Sequence, residues 1–380
     1  MQLSIADFDI PEDIKEFLRD NTDRVWIVGG AVRDLILGRK PADYDFLLTD
    51  VAEEEMDDLL GRAERAGDHF PVYLWQGVEF TRTSSSSPWS DLKRRDFTIN
   101  SLAVKLAGGR IYDPQGGFYD LENKLLQPLP GAFSRDAHRF YRALRFSSQL
   151  PEFDLTEHCY NKLADMEERA LAGIFPERVA EEFKDVLMAE CGERFFFLLD
   201  ELDISSPHFS WLETDLQRSL QRWRAVRHLS GRPKLLFAAL ALDAASEKEL
   251  QEVHDVLPLP KKWYRAAELA AKAVEKVRNW QEISPAELAE TLAGLKTDIL
   301  NLQECVLLAR ASSRSREDFR SPEQEQRYYH QLLALHRALS DAVRGQDLLN
   351  QLREGPELGR ELLQRRKKWL ERNREEYHKI

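Results

Sequence analysis

Two aspartates, Asp43 and Asp45, flank a tyrosine in the segment Pro41-Ala42-Asp43-Tyr44-Asp45-Phe46. If this segment enters a strand, positions i and i+2 project from one face. Two carboxylates side by side repel each other unless a cation sits between them. Hard Mg²⁺ suits one or two carboxylates completed by substrate phosphate oxygens. A pair of such ions activates an attacking hydroxyl and holds a leaving pyrophosphate in line. A lone Asp-x-Asp is more often a solvated acidic turn, but the preceding stretch changes the reading. Val28-Gly29-Gly30-Ala31-Val32-Arg33-Asp34 has the pattern of a strand, a glycine turn and a helix start. Such a turn lets backbone N–H groups approach phosphate, and the helix N-terminus favours negative charge. Arg33, one turn into the helix, is placed to neutralise a triphosphate oxygen. Neither a GxxxxGK[ST] loop nor a GxGxxG fingerprint is present.

Further along, Leu92-Lys93-Arg94-Arg95-Asp96-Phe97-Thr98-Ile99-Asn100 sets two adjacent arginines beside Asp96 and Asn100. Arginines pair with phosphate, while Asp96 and Asn100 hydrogen-bond ribose hydroxyls or brace the arginines. Glu79, in Val78-Glu79-Phe80, is either a third carboxylate near the first two or a surface residue. In Ser134 to Phe146, Arg139, Arg142 and Arg145 recur every third position, so they share one drifting helical face. Ser134 or Asp136 is the expected cap, and Ala137, Phe140 or Tyr141, and Leu144 form the apolar stripe. The histidines, His138 and His158 among them, show no metal-ligand spacing.

The elements that must hold these residues change character along the chain. Residues 1–130 read as mixed α/β. The spacing predicts strands at Arg24–Val28 and Asp45–Leu48, a helix from Ala31 to Leu37, and an acidic amphipathic helix from Val51 to Ala66. It predicts a strand from Val72 to Thr81, a strand or helix–strand junction within Asp91–Leu106, and a strand at Arg110–Tyr112 after the Gly108-Gly109 turn. Beyond Pro128-Leu129-Pro130-Gly131 strand alternation gives way to helical periodicity.

At 380 residues, 43% hydrophobic and 32% charged, the chain is long enough for two or three globular domains. A net charge of −12 argues against indiscriminate coating of nucleic acid, yet local basic excess occurs at Arg135–Arg145 and in the tail Arg360–Lys379. Cys159, Cys191 and Cys305 are odd in number and far apart, so neither a disulfide framework nor a zinc site is expected, and a cytoplasmic setting fits. The first residues lack the basic flank and apolar core of a secretory signal. The most apolar stretch, Leu235–Ala245, is broken by Asp243, so no membrane association is expected.

Taken together, Gly29 to Asp50 resembles the signature of class II tRNA nucleotidyltransferases (CCA-adding enzymes) and bacterial poly(A) polymerases. Arg94–Asn100 is similar to that family's RRDFTIN motif, and Tyr112-Asp113-Pro114-Gln115-Gly116-Gly117 with Asp120-Leu121 to its hinge-like motif. Gly345–Leu349 and Gly355–Gly359 resemble its tail pattern, and Pro176–Phe183 another of its motifs, whose Glu–Arg pair is expected to brace the nucleotide-binding helix. The stretch from about 200 to 330 carries no recognised pattern. The resemblance implies an α+β fold: a polymerase-β-like head (1–130), then an all-helical neck (131–205), body (206–330) and tail (331–380). It implies that Asp43 and Asp45 bind two Mg²⁺ ions, and that Gly29, Gly30, Arg33, Arg94, Arg95, Asp96 and Asn100 hold the nucleotide. In the helix resembling the family's EDxxRxxRxxRF, Asp136 and Arg139 would read the base, with Arg142 and Arg145 beside them. A carboxylate accepts from an exocyclic amine and a guanidinium donates to a ring acceptor, a combination that fits cytosine and adenine and rejects guanine and uracil.

Two departures bear on the product. Arg135 stands where the family has Glu, a charge reversal beside the base-reading pair. The segment Thr81–Lys93 is shorter than the flexible loop of CCA-adding members, which favours addition of two cytidines over full CCA. The expected partners are the tRNA 3′ end, CTP and ATP, with no stable protein partner implied. A poly(A) polymerase shares every catalytic motif and is the nearest alternative. An RNA-binding protein with an inactive head is a remoter one, and no HD-type hydrolase pattern is present.

Overall fold

The computed structural model describes residues 5–67, 71–204, 206–212, 215–244, 246–295, 298–314, 321–344 and 356–378. The chain forms two compact units, Met1–Leu171 with Arg194–Ile204, and Ala172–Glu193 with Ser205–Ile380.

The first unit is built on a seven-stranded sheet. Helix α1 (Glu12–Asp20) leads into β1 (Val25–Val28), whose aromatic and branched residues suit a pleated, buried surface. Then come α2 (Gly30–Ile36), β2 (Asp45–Thr49), α3 (Glu53–Leu59), β3 (Glu64–Ala66), β4 (Val72–Trp75), β5 (Val78–Thr83), α4 (Trp89–Leu92), β6 (Ala103–Lys105) and β7 (Ile111–Tyr112). The spatial order is β3-β4-β5-β2-β1-β6-β7. β2 lies antiparallel to β1 and parallel to β5. Register puts Val28 opposite Asp45, and Asp45 opposite Glu79, so the glycine turn and two carboxylates meet at one end of the central strands. Phe46 and Phe80, both fully buried, stack at 5.3 Å beneath them and hold that register.

Past the sheet lie α5 (Gly117–Glu122), β8 (Leu125–Leu126), α6 (Ala132–Arg135), α7 (Arg139–Gln149) and β9 (Asp154–Leu155), which pairs in parallel with β8. This last pair is an exception to the purely helical character expected after residue 130. Of the second unit, the described regular elements are all helical, from Pro176–Met188 through the long Lys261–Arg278 and Pro322–Ala342 to Pro356–Tyr377. Trp223 and Trp280 are fully buried in it. Among the described residues no helix is long and apolar enough to cross a membrane.

Three expected elements take a different form. The acidic helix stops at Leu59 and the chain turns into β3, because Gly61 and the loss of apolar spacing end the periodicity. The strand expected over Val72–Thr81 is a hairpin. Gln76 and Gly77 both have positive φ (48° and 85°), the backbone of a two-residue turn whose twist matches the strands it joins. The helix expected from Ser134 is broken at Asp136, which is extended and accepts the His138 N–H at 3.1 Å; regular helix resumes at Arg139. Ser134 turns back instead, its hydroxyl donating to the Gly131 carbonyl.

Pro176–Phe183 opens a helix of the second unit. The tail pattern Gly345–Leu349 lies outside the described residues, as does Gly355, while Pro356–Gly359 begins the last helix. In that helix Arg365 pairs with Glu361 at 2.9 Å and Lys367 with Glu290 at 2.7 Å, whereas Arg360, Lys368 and Arg372 are exposed.

Candidate active site

The turn after β1 needs a glycine at one position. Gly29 has φ 75° and ψ −138°, a conformation closed to residues with a side chain, and it accepts the N–H groups of Val32 and Arg33 as α2 begins. A β-carbon there would lie 2.0 Å from Arg95 Nη1 and 3.3 Å from Asp45 Oδ2. Gly30 is under no such constraint, since a β-carbon would make only ordinary contact with Arg33.

Asp45 opens β2, and Asp43 sits in the bend before the strand. The expected alternation is kept: Tyr44 is buried, Asp43 is exposed, and the Asp45 side chain is 39% exposed. Burial pushes the Asp45 carboxyl up to about 6; Arg95 opposes this, and the neighbouring charges of Asp43, Glu79 and Asp91 add to it. Glu79, exposed on β5 directly opposite Asp45, is a surface residue that also adds its charge to the cluster. Asp91 is a member that the sequence reading passed over. Its signal was the i,i+4 spacing to Arg95: Arg95 Nε donates to Asp91 Oδ2 at 2.9 Å, while Nη1 lies 3.9 Å from Asp45 Oδ2.

The donor set fits a hard divalent cation, being carboxylate oxygens with a surplus of negative charge around Asp45. Among the described residues no group of three or more His, Cys, Asp or Glu is placed to hold an ion by itself. Two carboxylates with phosphate oxygens and water completing the shell is the arrangement in which Mg²⁺ is bound beside nucleotides.

Beside the acidic cluster runs a hydrogen-bonded chain that joins three elements. Arg33 Nη1 donates to Asn100 Oδ1 at 2.8 Å, Asn100 Nδ2 to Asp96 Oδ1 at 3.0 Å, and Arg142 Nε to Asp96 Oδ2 at 2.7 Å. The Phe97 N–H also donates to Asp96. Burial alone would raise the Asp96 pKa, but Arg142 and the hydrogen bonds from Asn100, Arg142 and Phe97 outweigh it and bring it down to about 2. Asp96 and Asn100 thus brace arginines, one of the two roles read from sequence. The guanidiniums of Arg33, Arg142 and Arg145 lie 5.4, 5.4 and 4.3 Å from the ring centre of Phe146, a platform absent from the sequence reading. Three like charges around one ring make a natural cradle for a polyanion.

Arg139 is oriented differently. It donates to the carbonyls of Arg95 (3.0 Å), Ala132 (3.3 Å) and Arg94, tying the base of α7 to the double-arginine loop. The Arg94 side chain is exposed. Arg135, at the position of the family's Glu, caps its own turn by donating to the Pro130 carbonyl at 2.8 Å. Tyr112–Asp120 has a packing role: Asp113 accepts the N–H groups of Gly117 and Phe118, and Thr98 donates to Asp120. A β-carbon on Gly117 would strike the Thr98 carbonyl oxygen at 2.1 Å, so α5 packs directly on the loop carrying Asn100.

A sheet whose central strands end in a glycine turn and paired carboxylates, flanked by braced arginines, defines a head built for nucleotidyl transfer. Residues 25–72 and 75–127 match the poly A polymerase head domain. A CCA-adding enzyme of Coxiella burnetii is 28% identical over 305 residues, covering 74% of this chain and 78% of that protein. A multifunctional CCA protein of Legionella pneumophila is 31% identical over 258 residues, 58% of this chain and 62% of that protein. Among solved structures, the Thermotoga maritima CCA-adding enzyme complexed with tRNA has the same fold, with a TM-score of 0.69 at 19% identity over 96% of this chain and 93% of that one. A CCA-adding enzyme with CTP gives 0.68 at 19% identity, over 97% and 95%. Residues 25–127 thus resemble the head of poly A polymerases, and the chain as a whole has the fold of solved CCA-adding enzymes.

Proposed function

We propose that this chain is a template-independent tRNA 3′-terminal nucleotidyltransferase that adds two cytidines from CTP and releases pyrophosphate. The observation that carries this reading is Asp45 at the Gly29 turn, with the charge of Asp43 acting on it, beside the arginines braced by Asp96 and Asn100. Asp43 and Asp45 would hold two Mg²⁺ ions, which supply activation of the RNA 3′-hydroxyl and charge neutralisation at the leaving pyrophosphate. The residues themselves bind and orient. The Gly29-Gly30 turn and Arg33 receive the triphosphate, with Arg94, Arg95, Arg142 and Arg145 adding positive charge. Asp136, just before α7, and Arg139, at its start, would read the base and exclude guanine and uracil, Arg139 exchanging part of its carbonyl bonding for the base. Such catalysis is positioning and electrostatic stabilisation rather than covalent chemistry. The division of the helical remainder into neck, body and tail belongs to this proposal, with the exposed cations of the last helix contacting tRNA phosphates.

Addition of C alone rests on the connection between β5 and α4. It is short and pinned: Ser85 N–H donates to Thr83 Oγ1, Ser87 N–H to Ser85 Oγ, Trp89 N–H to Ser87 Oγ, and Ser87 Oγ to Tyr112 Oη. A loop so tied suits one nucleotide geometry better than a switch between two. The test is extension of tRNA ending at the discriminator base, in C, or in CC, with each NTP separately. Arrest after two cytidines supports the reading. Addition of A to the CC end makes it a CCA-adding or A-adding enzyme, and a long A tract on any RNA makes it a poly(A) polymerase. Asp43→Ala and Asp45→Ala should abolish extension while RNA affinity stays; near-normal rates in either would refute the metal assignment.

A further inference from the structure

Arg95 occupies the wedge where the glycine turn meets the acidic cluster. Its Nη1 is 3.9 Å from Asp45 Oδ2, and a β-carbon on Gly29 would come within 2.0 Å of that nitrogen and 3.3 Å of that oxygen. An anion seated on the turn and a cation seated on Asp45 would meet in the same wedge. The near end of the guanidinium is anchored, because Nε donates to Asp91 Oδ2 at 2.9 Å from one helical turn away. Asp43, Glu79 and Asp91 all act electrostatically on Asp45, and Arg95 is the cation among them. A divalent ion and a guanidinium cannot both be the inner partner of one Asp45 oxygen, since like charges at that separation repel strongly away from bulk water.

We propose that Arg95 is a removable counterion: it covers the metal-binding carboxylate before nucleotide arrives, and pivots on Asp91 toward the triphosphate when the cation takes Asp45. The inference rests on the reading of Asp43 and Asp45 as the metal carboxylates. Asp91 is then a positioning residue that acts through Arg95, and Gly29 is glycine partly because the guanidinium needs its space. A purely structural Asp91–Arg95 pair would brace the loop and leave cation affinity unmoved when Arg95 loses its charge.

The test is Mn²⁺ titration of the full chain without nucleotide, followed by electron paramagnetic resonance. Wild type is compared with Arg95→Gln, Asp91→Asn and the double variant, with thermal melting of each as a fold control. Arg95→Gln should bind Mn²⁺ about tenfold more tightly, the size expected when one neighbouring charge is removed from a metal site. Asp91→Asn should weaken binding about threefold, because Arg95 loses its second anion and leans on Asp45. That weakening should vanish in the Arg95→Gln background. Unchanged or weaker Mn²⁺ binding in Arg95→Gln overturns the proposal. An equal effect of Asp91→Asn in both backgrounds makes Asp91 an ion ligand and overturns its pivot role. If Arg95→Gln does not fold, Arg95→Lys carries the test; its shorter ammonium cannot span from Asp91 to Asp45, and affinity equal to wild type refutes the counterion. Asp45→Asn separates the two levels: if it leaves Mn²⁺ binding intact, the metal reading itself fails, whatever Arg95 does.

Discussion

Replacing Asp96 with asparagine removes one charge from the braced chain and almost no volume. The side chain is 6% exposed, accepts from Arg142 at 2.7 Å and from Asn100 at 3.0 Å, and has a pKa of about 2 instead of 3.8. That fall corresponds to about 2 kcal/mol favouring the charged form in the folded state. Because the folded pKa is depressed, this stabilisation is fully present above pH 3.8 and is lost as pH falls through about 2. Asp96→Asn should therefore cost about 2 kcal/mol at neutral pH, somewhat softened because Arg142 is 34% exposed and regains solvent. The difference from wild type should narrow steadily below pH 4. The assay is urea unfolding at pH 7, 5, 4 and 3, with hydrogen exchange of peptides covering residues 92–104 and 139–149 to assign the loss to this unit. A variant as stable as wild type at pH 7, or a deficit that does not shrink in acid, would refute the idea that the charge pair holds the loop on α7. The same variant should raise the KM for CTP, since Arg33 reaches Asp96 through Asn100.

The raised pKa of Asp45, about 6, sets a second expectation: the carboxyl favours folding below 3.8, loses that contribution as pH rises through about 6, and binds cations as it does so. Mn²⁺ affinity should thus drop about tenfold between pH 7 and pH 5, and a flat profile would contradict it. Gly117→Ala places a carbon against the Thr98 carbonyl and should destabilise the protein by about 1–3 kcal/mol, read as a lowered melting temperature. Phe146→Leu keeps an apolar filler but removes the ring beneath three guanidiniums. The KM for CTP should rise about fivefold with kcat little changed, consistent with about 1 kcal/mol of lost orientation. Asp136→Ala should relax base choice, and unchanged discrimination against GTP and UTP in single-nucleotide extension would remove it from that role.

Features set by local sequence could be read in advance. Val25–Val28 followed by two glycines can hardly be other than a strand entering a tight turn, and Asp43 and Asp45 keep the alternation that aims both away from buried Tyr44. The misread elements were those in which one or two residues reverse the chain. Gln76-Gly77 is a turn only because both residues adopt positive φ, and to a periodicity count it is merely another polar step in an alternating run. Asp136 carries the same lesson, as its carboxylate takes the His138 N–H and splits one expected helix into two. That break has a consequence for the site. It places Arg139 in the first turn of α7, where it reaches the carbonyls of Arg94 and Arg95. A helix running unbroken from Ser134 would carry Arg139 as one more cation on a solvated face. With the break, the helix beginning just after Asp136 is bonded through Arg139 to the backbone of Arg94 and Arg95. Under the proposed assignment, a change of fit at the base would pass through Arg139 to the backbone of Arg95, beside Asp45.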